Sequence, residues 1–320
     1  MILLLIILPV AAAAFALLAP PRIARFCNAV TLLGAAAIAI ALAGGVLWTG
    51  EAPTAMAGYL RADGLAALVA MTVAIAGAIG AGCGARSFTA AQPDAVRIYT
   101  TLSPLLVAAL LVAALSDHLG LLWIALELAA VLSAFLIGSG GGRHRHEAAF
   151  KYMLLGSAGL VLGLLAIAVV HSAAVPSLGH GDEALSFQRL LEAGPSLTPR
   201  TMRIALALAA AGFGLKVGLF PLHVWKPDAY ASAPGPVTAV LAGAAVLVPL
   251  EALLRFGALT SAAGEAAFVS ELFVAGGLVS IVAALFLMVR ERDLRRILAF
   301  TSVEHLGLIL LACGTGTDAA

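Results

Sequence analysis

The chain has 320 residues, 62% of them hydrophobic and 11% charged, with a mean hydropathy of +1.07 and a formal net charge of +1. Soluble domains run about 45–50% apolar and 25% charged, so lipid is the solvent for most of this surface, and the near-zero charge excludes nucleic acid, whose binding rests on clustered basic residues. Cys27, Cys83 and Cys313 lack the paired spacing of zinc or iron–sulfur ligation; they read as buried packing residues, no cofactor is expected on this chain, and any redox centre belongs to a partner.

Taken from the N-terminus, residues 1–20 are apolar from the first residue, carry no basic leader and are followed by more apolar runs, which reads as a first helix and not a signal peptide. Runs of about 20 apolar residues bounded by polar, Gly or Pro punctuation predict helices near 1–19, 27–49, 62–83, 99–116, 119–138, 150–171, 202–225, 234–256, 268–289 and 296–313. The fold class is all-α and polytopic. With the N-terminus outside, the cytoplasmic connections collect Arg22, Arg25, Arg86, Arg97, Arg143, Arg145, Lys151, Lys226, Arg290, Arg292, Arg295 and Arg296, and the opposite side holds Arg61, Arg189, Arg200, Arg203 and Arg255. That asymmetry follows the positive-inside rule. The longest connection, 172–201, then lies outside as an irregular loop, and Arg143-His-Arg-His146 is a solvated cytoplasmic loop with too few ligands for a metal.

Two ionisable residues deep inside predicted spans stand out. Lys216 lies deep in the run 204–222, and a lysine at the membrane centre costs roughly 2.5–3.5 kcal/mol on insertion scales, so it marks a functional site unless it snorkels to an interface. Glu127, in Leu121-Leu-Trp-Ile-Ala-Leu-Glu127, is surrounded by apolar residues; it serves proton or ion handling, or a hydrogen-bonded helix contact, and Lys216 is its candidate partner. Pro221 and Pro227 follow Lys216 and each remove a backbone donor. They predict a broken helix, tolerable only inside protein or along water.

Four segments in order, Glu127 in its setting, Lys151-Tyr-Met-Leu-Leu-Gly-Ser157, Gly214-Leu-Lys-Val217 with Pro221-Leu-His-Val-Trp-Lys-Pro-Asp-Ala229, and Asp293 to Gly307 with its Glu304-His305 pair, resemble the antiporter-like, proton-translocating subunits of respiratory complex I, membrane-bound hydrogenases and multisubunit antiporters. The wording leans towards the hydrogenase-4 and formate hydrogenlyase branch. The resemblance implies inverted five-helix repeats, each with a broken helix: three N-terminal helices in 1–98, a first repeat in 99–256 interrupted near 221–227, and the start of a second in 257–320. It implies a Glu127–Lys216 gate, with His305 and Glu304 on a central polar axis; a packing histidine is the other reading of His305. His223, Lys226 and Asp228 line the access path or hold the broken helix by hydrogen bonds.

The chain departs from the family where many members carry a second lysine, since Val246 and Leu247 stand there. Glu251 substitutes for it, or forms an ordinary ion pair with Arg255 at i+4. Family members usually run to about fourteen helices, so this sequence holds a complete first repeat and an incomplete second, as a split subunit or a truncated product. The expected function is proton translocation in a respiratory-type oxidoreductase complex of the hydrogenase-4 kind. The expected partners are other membrane subunits, peripheral redox subunits, the bilayer and H⁺ or Na⁺. A multisubunit Na⁺/H⁺ antiporter and a non-conducting membrane anchor are the alternatives. The location implied is a bacterial inner membrane, multi-pass, N-terminus outside.

Overall fold

The computed structural model describes residues 1–87, 93–139 and 141–316. The side chain of Arg86 and the residues 317–320 at the end of the chain, both used above, lie outside the described set. The chain is helical almost throughout: α1 Ile2–Leu18, α2 Pro21–Thr49, α3 Gly64–Ser87, α4 Pro93–Ala114, α5 Leu119–Gly138, α6 Arg143–Leu178, α7 Phe187–Glu192, α8 Pro199–Val217, α9 Trp225–Ser232, α10 Gly235–Val240, α11 Leu247–Thr260, α12 Ala266–Arg290 and α13 Leu294–Thr315. Among the described residues, seven stretches are long and apolar enough to cross a membrane: 21–49, 64–84, 94–114, 119–138, 143–178, 235–290 and 294–315. The stretch 235–290 bends at Gly264, whose φ of 89° ends one helix before the next begins. Large apolar side chains such as Phe26 (69% exposed), Phe135 (64%) and Phe286 (73%) face outward, as a lipid-solvated surface requires and an aqueous one does not.

The chain forms two compact units. The first comprises residues 1–117, 121–153 and 232–251; the second comprises 118–120, 154–231 and 252–320. In the first, α1 to α4 pack on one another and α10 lies against α3. Tyr99, 1% exposed, donates from its hydroxyl to the Gly80 carbonyl at 2.7 Å and so ties α4 to α3. A short antiparallel pair, β1 Thr54–Ala55 and β2 Leu60–Arg61, meets the end of α4 through the Arg61 N–H to Leu115 carbonyl bond of 2.7 Å. Asp63 then caps α3 by accepting from Ala66 N–H at 2.8 Å. In the second unit α12 and α13 pack along each other.

Several expectations change. Residues 172–201 are not an irregular loop: α6 runs on to Leu178, and a 3₁₀ turn at 182–185, the helix α7 and a second turn at 194–196 fill the rest. Ser186 accepts from Arg189 N–H at the start of α7, a local cap that a Pro/Gly count does not show. Arg143-His-Arg-His146 is the first turn of α6 and not a loop. At about 1.5 Å per residue, the 36 residues of α6 span roughly 54 Å, so its basic start reaches past the ~30 Å hydrocarbon core. The cysteines are not buried packing residues: Cys83 and Cys313 are exposed and Cys27 is half-buried, each on a helix with an outward apolar surface, where a thiol is as compatible with lipid as with a core.

Candidate functional site

The site is built around the early end of α8. The sequence predicts a helix over 202–225, but α8 stops at Val217, because Gly218 adopts φ 76°, ψ 44°, and its N–H closes the helix on the Gly214 carbonyl at 2.9 Å. Glycine enters this left-handed cap without steric cost. Lys216 therefore sits in the last turn of α8 and not mid-helix, and it is 3% exposed. Its position against α6 depends on small residues: a Cβ on Gly156 would stand 3.1 Å from Lys216 Nζ, and a Cβ on Gly212 would stand 2.6 Å from the Gly159 carbonyl oxygen. Gly159, Gly163 and Gly212 thus let the backbones of α6 and α8 touch, and Gly156, from the Lys-Tyr-Met-Leu-Leu-Gly segment, leaves room for the ammonium.

Residues 218–224 carry no regular helix. The Phe220–Pro221 peptide bond is cis. The segment is held by polar contacts: Trp225 Nε1 donates to the Leu215 carbonyl at 2.8 Å, and Phe220 N–H donates to Ser280 Oγ, on α12, at 3.2 Å. Ser280 is fully buried. The His223 ring stacks on Phe220 (5.4 Å between centroids) and meets Phe300 of α13 (6.0 Å). Pro221 lies in the break, exposed. Pro227 does not break anything: it is buried in the first turn of α9, where its missing N–H would have had no intrahelical acceptor.

Two arginines tie α9 to the start of α13. Arg296 bonds the Asp228 carboxylate and also approaches Glu291 Oε2 at 3.6 Å, and Arg295 Nη1 donates to the Ala231 carbonyl at 3.1 Å. Asp228 thus holds the broken helix. In the exposed turn between α12 and α13, the N–H groups of Asp293 and Arg292, with Arg296 beyond them, hold the Glu291 carboxyl below the usual glutamate range.

Sequence reasoning puts Lys226 on the cytoplasmic side, where it lines the access path or holds the broken helix by hydrogen bonds. The structure encloses it completely, 0% exposed, in the first turn of α9. Its Nζ donates to Ser302 Oγ of α13 at 3.3 Å and lies 5.9 Å from the Tyr230 ring centroid. The enclosing groups come from α9, α13 and the Gly218 turn, contacts that no local pattern announces. Ser302, Tyr230, Ser280 and Gly156 are likewise absent from the sequence-derived site.

The remaining predicted residues fall elsewhere. Glu127 is half-buried on α5, in the first unit. Glu251 is 2% exposed and Arg255 4%, on consecutive turns of α11, and the Arg255 guanidinium lies 4.6 Å over the Phe187 ring. A π-helical turn, Leu241–Ala245, precedes Val246; such turns interrupt the regular ladder. His305 is exposed on α13 and Glu304 half-buried. Among the described residues no three His, Cys, Asp or Glu converge as metal ligands.

Comparison with known proteins agrees with this architecture. A family described as NADH:quinone oxidoreductase/Mrp antiporter, transmembrane, matches residues 116–320. The hydrogenase-4 component F homolog of Methylacidiphilum infernorum is 35% identical over 225 residues, covering 70% of this chain and 47% of that protein. NADH-quinone oxidoreductase subunit N of Desulforudis audaxviator is 32% identical over 196 residues, covering 61% and 38%. Among solved structures, a chain of the archaeal membrane-bound sulfane sulfur reductase superposes with a TM-score of 0.86 at 24% identity, over 99% of this chain and 65% of that one. A chain of the Mrp complex from a Dietzia species gives 0.80 at 25%, over 99% and 34%. The chain spans about half the length, or less, of these curated relatives.

Proposed function

The chain belongs to the NADH:quinone oxidoreductase/Mrp antiporter transmembrane family, and on that premise we propose that it is a proton-translocating membrane subunit of a respiratory-type oxidoreductase complex of the hydrogenase-4 kind. The observation that carries this reading is Lys216: an enclosed ammonium in the last turn of an apolar helix, directly before seven residues of irregular backbone, 218–224. Irregular backbone at membrane depth is tolerated where it lines water or is buried in protein, so the break gives Lys216 a route for protons. In this proposal Glu127 is its counter-charge, and opening and closing of that pair gates transfer. His305 and Glu304 continue the path on α13, and Glu251 stands in for the missing lysine near Val246. The 35% identity to a hydrogenase-4 component F homolog supports that branch.

The same reading places the chain beside other membrane subunits and peripheral redox subunits in a bacterial inner membrane, with residues 99–256 as a first repeat and 257–320 as part of a second. The N-terminus faces outside, on the cation asymmetry of the connections; removing enclosed Lys226 from the cytoplasmic set leaves that asymmetry in place. A reporter fused ahead of Met1 and found in the cytoplasm would reverse it. The test of function is proton uptake into vesicles by the reconstituted complex: Lys216→Met is expected to abolish it at normal assembly, and a wild-type rate sinks the proposal. The second reading is a multisubunit Na⁺/H⁺ antiporter, favoured by the superposition on the Mrp complex. Proton movement driven by a Na⁺ gradient alone, without a redox substrate, selects it.

A further inference from the structure

Lys226 is the cation of this region to which the proposed function gives no task. Its whole side chain is enclosed. Among the described residues Nζ has one hydrogen-bond acceptor, Ser302 Oγ at 3.3 Å, and one aromatic face, Tyr230, and it makes no ion pair. A buried lysine kept for architecture is as a rule matched by a carboxylate, because a hydroxyl and a ring face do not offset the loss of water around an ammonium. The charged and titratable groups around it do not supply that match. Asp228, two residues on, is bonded to Arg296; His223 accepts the Lys226 backbone N–H through its carbonyl at 2.9 Å, and its ring is a base and not an anion; on α13, Glu304 and His305 follow Ser302 in sequence without bonding Nζ.

The two lysines also sit at opposite helix ends. Lys216 occupies the last turn of α8 and Lys226 the first turn of α9. A helix dipole favours a cation at the first kind of position and opposes it at the second. Charge on Lys226 thus has neither a counter-ion among the described residues nor a favourable dipole, and its one hydrogen bond leads to another helix.

We propose that Lys226 is a second proton-carrying lysine, which passes its proton through Ser302 onto α13. An N–H bond of the Lys226 ammonium breaks as the proton moves to Ser302 Oγ, while the hydroxyl proton of Ser302 passes to the imidazole of His305, which is exposed on the next turn of α13. Lys226 is left as a neutral amine and is restored by a proton arriving through the break, so one proton enters for each that leaves. His305 lies three residues beyond Ser302, a neighbour on the helix surface whose imidazole nitrogen can accept a proton.

This inference rests on the proton-translocation reading, and the test separates the two. The assay is proton uptake by the reconstituted complex carrying Lys216→Met, Lys226→Gln or Ser302→Ala, with assembly checked for each. Glutamine keeps a donor for Ser302 but cannot carry the proton. Lys226→Gln is therefore expected to slow uptake about a hundredfold at normal assembly, the scale of removing a positioned proton-transfer group, and Ser302→Ala to slow it several-fold. A wild-type rate in Lys226→Gln with loss in Lys216→Met overturns the assignment of Lys226 alone; wild-type rates in both overturn the function as well. Should Lys226→Gln not assemble, Ser302→Ala decides: slowed uptake supports the route and an unchanged rate refutes it.

Discussion

The crossing of α6 and α8 fixes where Lys216 stands, and it can be tested by two substitutions of the same chemistry in one helix. A Cβ at Gly212 would lie 2.6 Å from the Gly159 carbonyl oxygen and 2.5 Å from Gly163 N, both backbone atoms, whereas a Cβ at Gly214 would meet only Leu222 and Leu219 side-chain atoms at 3.8 and 4.0 Å. Both Gly→Ala changes gain the same helix propensity, roughly 0.5–1 kcal/mol, so the difference between the variants isolates the steric wedge. Backbone cannot yield as a side-chain tip does, and overpacking of this kind costs about 1–3 kcal/mol, a roughly 5- to 150-fold difference in the unfolding equilibrium. The assay is denaturant unfolding of the two purified variants in the same detergent: Gly214→Ala should match or slightly exceed wild type, and Gly212→Ala should unfold earlier. Lys216 is one turn beyond Gly212 on the same face, so Gly212→Ala should also slow proton uptake in the fraction that assembles. Equal midpoints for the two variants would refute the contact between the helices.

Gly156→Ala places a methyl 3.1 Å from Lys216 Nζ, and the flexible lysine tip moves aside. Unfolding should stay within about 0.5 kcal/mol of wild type while uptake by the reconstituted complex falls, so an unchanged uptake rate speaks against a functional Lys216 pocket. In the turn at 291–293, the Asp293 and Arg292 N–H groups lower the Glu291 pKa. The order they impose is thus present above the unfolded glutamate value, about 4.3, and is lost as pH falls through the lower folded one. Hydrogen exchange at Arg292 and Asp293, corrected for intrinsic rates, should quicken in that acid window, and Glu291→Gln should abolish the pH dependence; a dependence that persists in Glu291→Gln places its origin elsewhere.

The membrane class and the helical fold were legible because apolar run length is a local property: lipid demands about 20 such residues per crossing, and α2, α5 and α13 follow the runs within a few residues. Lys216 stood out for the same reason, as one charge in such a run. The end of α8 is not legible because the prolines are the visible breakers in the sequence, whereas Gly218 closes the helix and Pro227 sits in a first turn. The full enclosure of Lys226 is not legible in the sequence, where Trp, Lys, Pro, Asp and Tyr simply follow the break. Its enclosure comes from Ser302, 76 residues away, and from a turn shaped by Gly218. Gly156 belonged to a quoted motif, yet its purpose appears only where α6 meets α8.

These pieces combine into a physical division of labour along one stretch of chain. Up to Gly212, α8 is fixed by backbone contact with α6, the least deformable kind of packing, and a proton site needs its acceptor held in place. Beyond Gly218 the backbone is held by single bonds to Leu215, Ser280 and Ser302 and by the Asp228–Arg296 pair, each replaceable by water at modest cost. A rigid support for Lys216 and a rewettable segment after it are opposite demands, and a continuous helix meets only the first. The left-handed turn at Gly218 ends the nineteen residues of α8 before the irregular residues 218–224, which in the proposed function admit water, and Lys226 beyond them bonds Ser302 of α13. Replacing Gly218 by a residue that continues the helix would therefore remove both lysines' settings at once, so on the proposed function it should stop proton uptake as completely as Lys216→Met, and uptake that survives it would refute a role for the break.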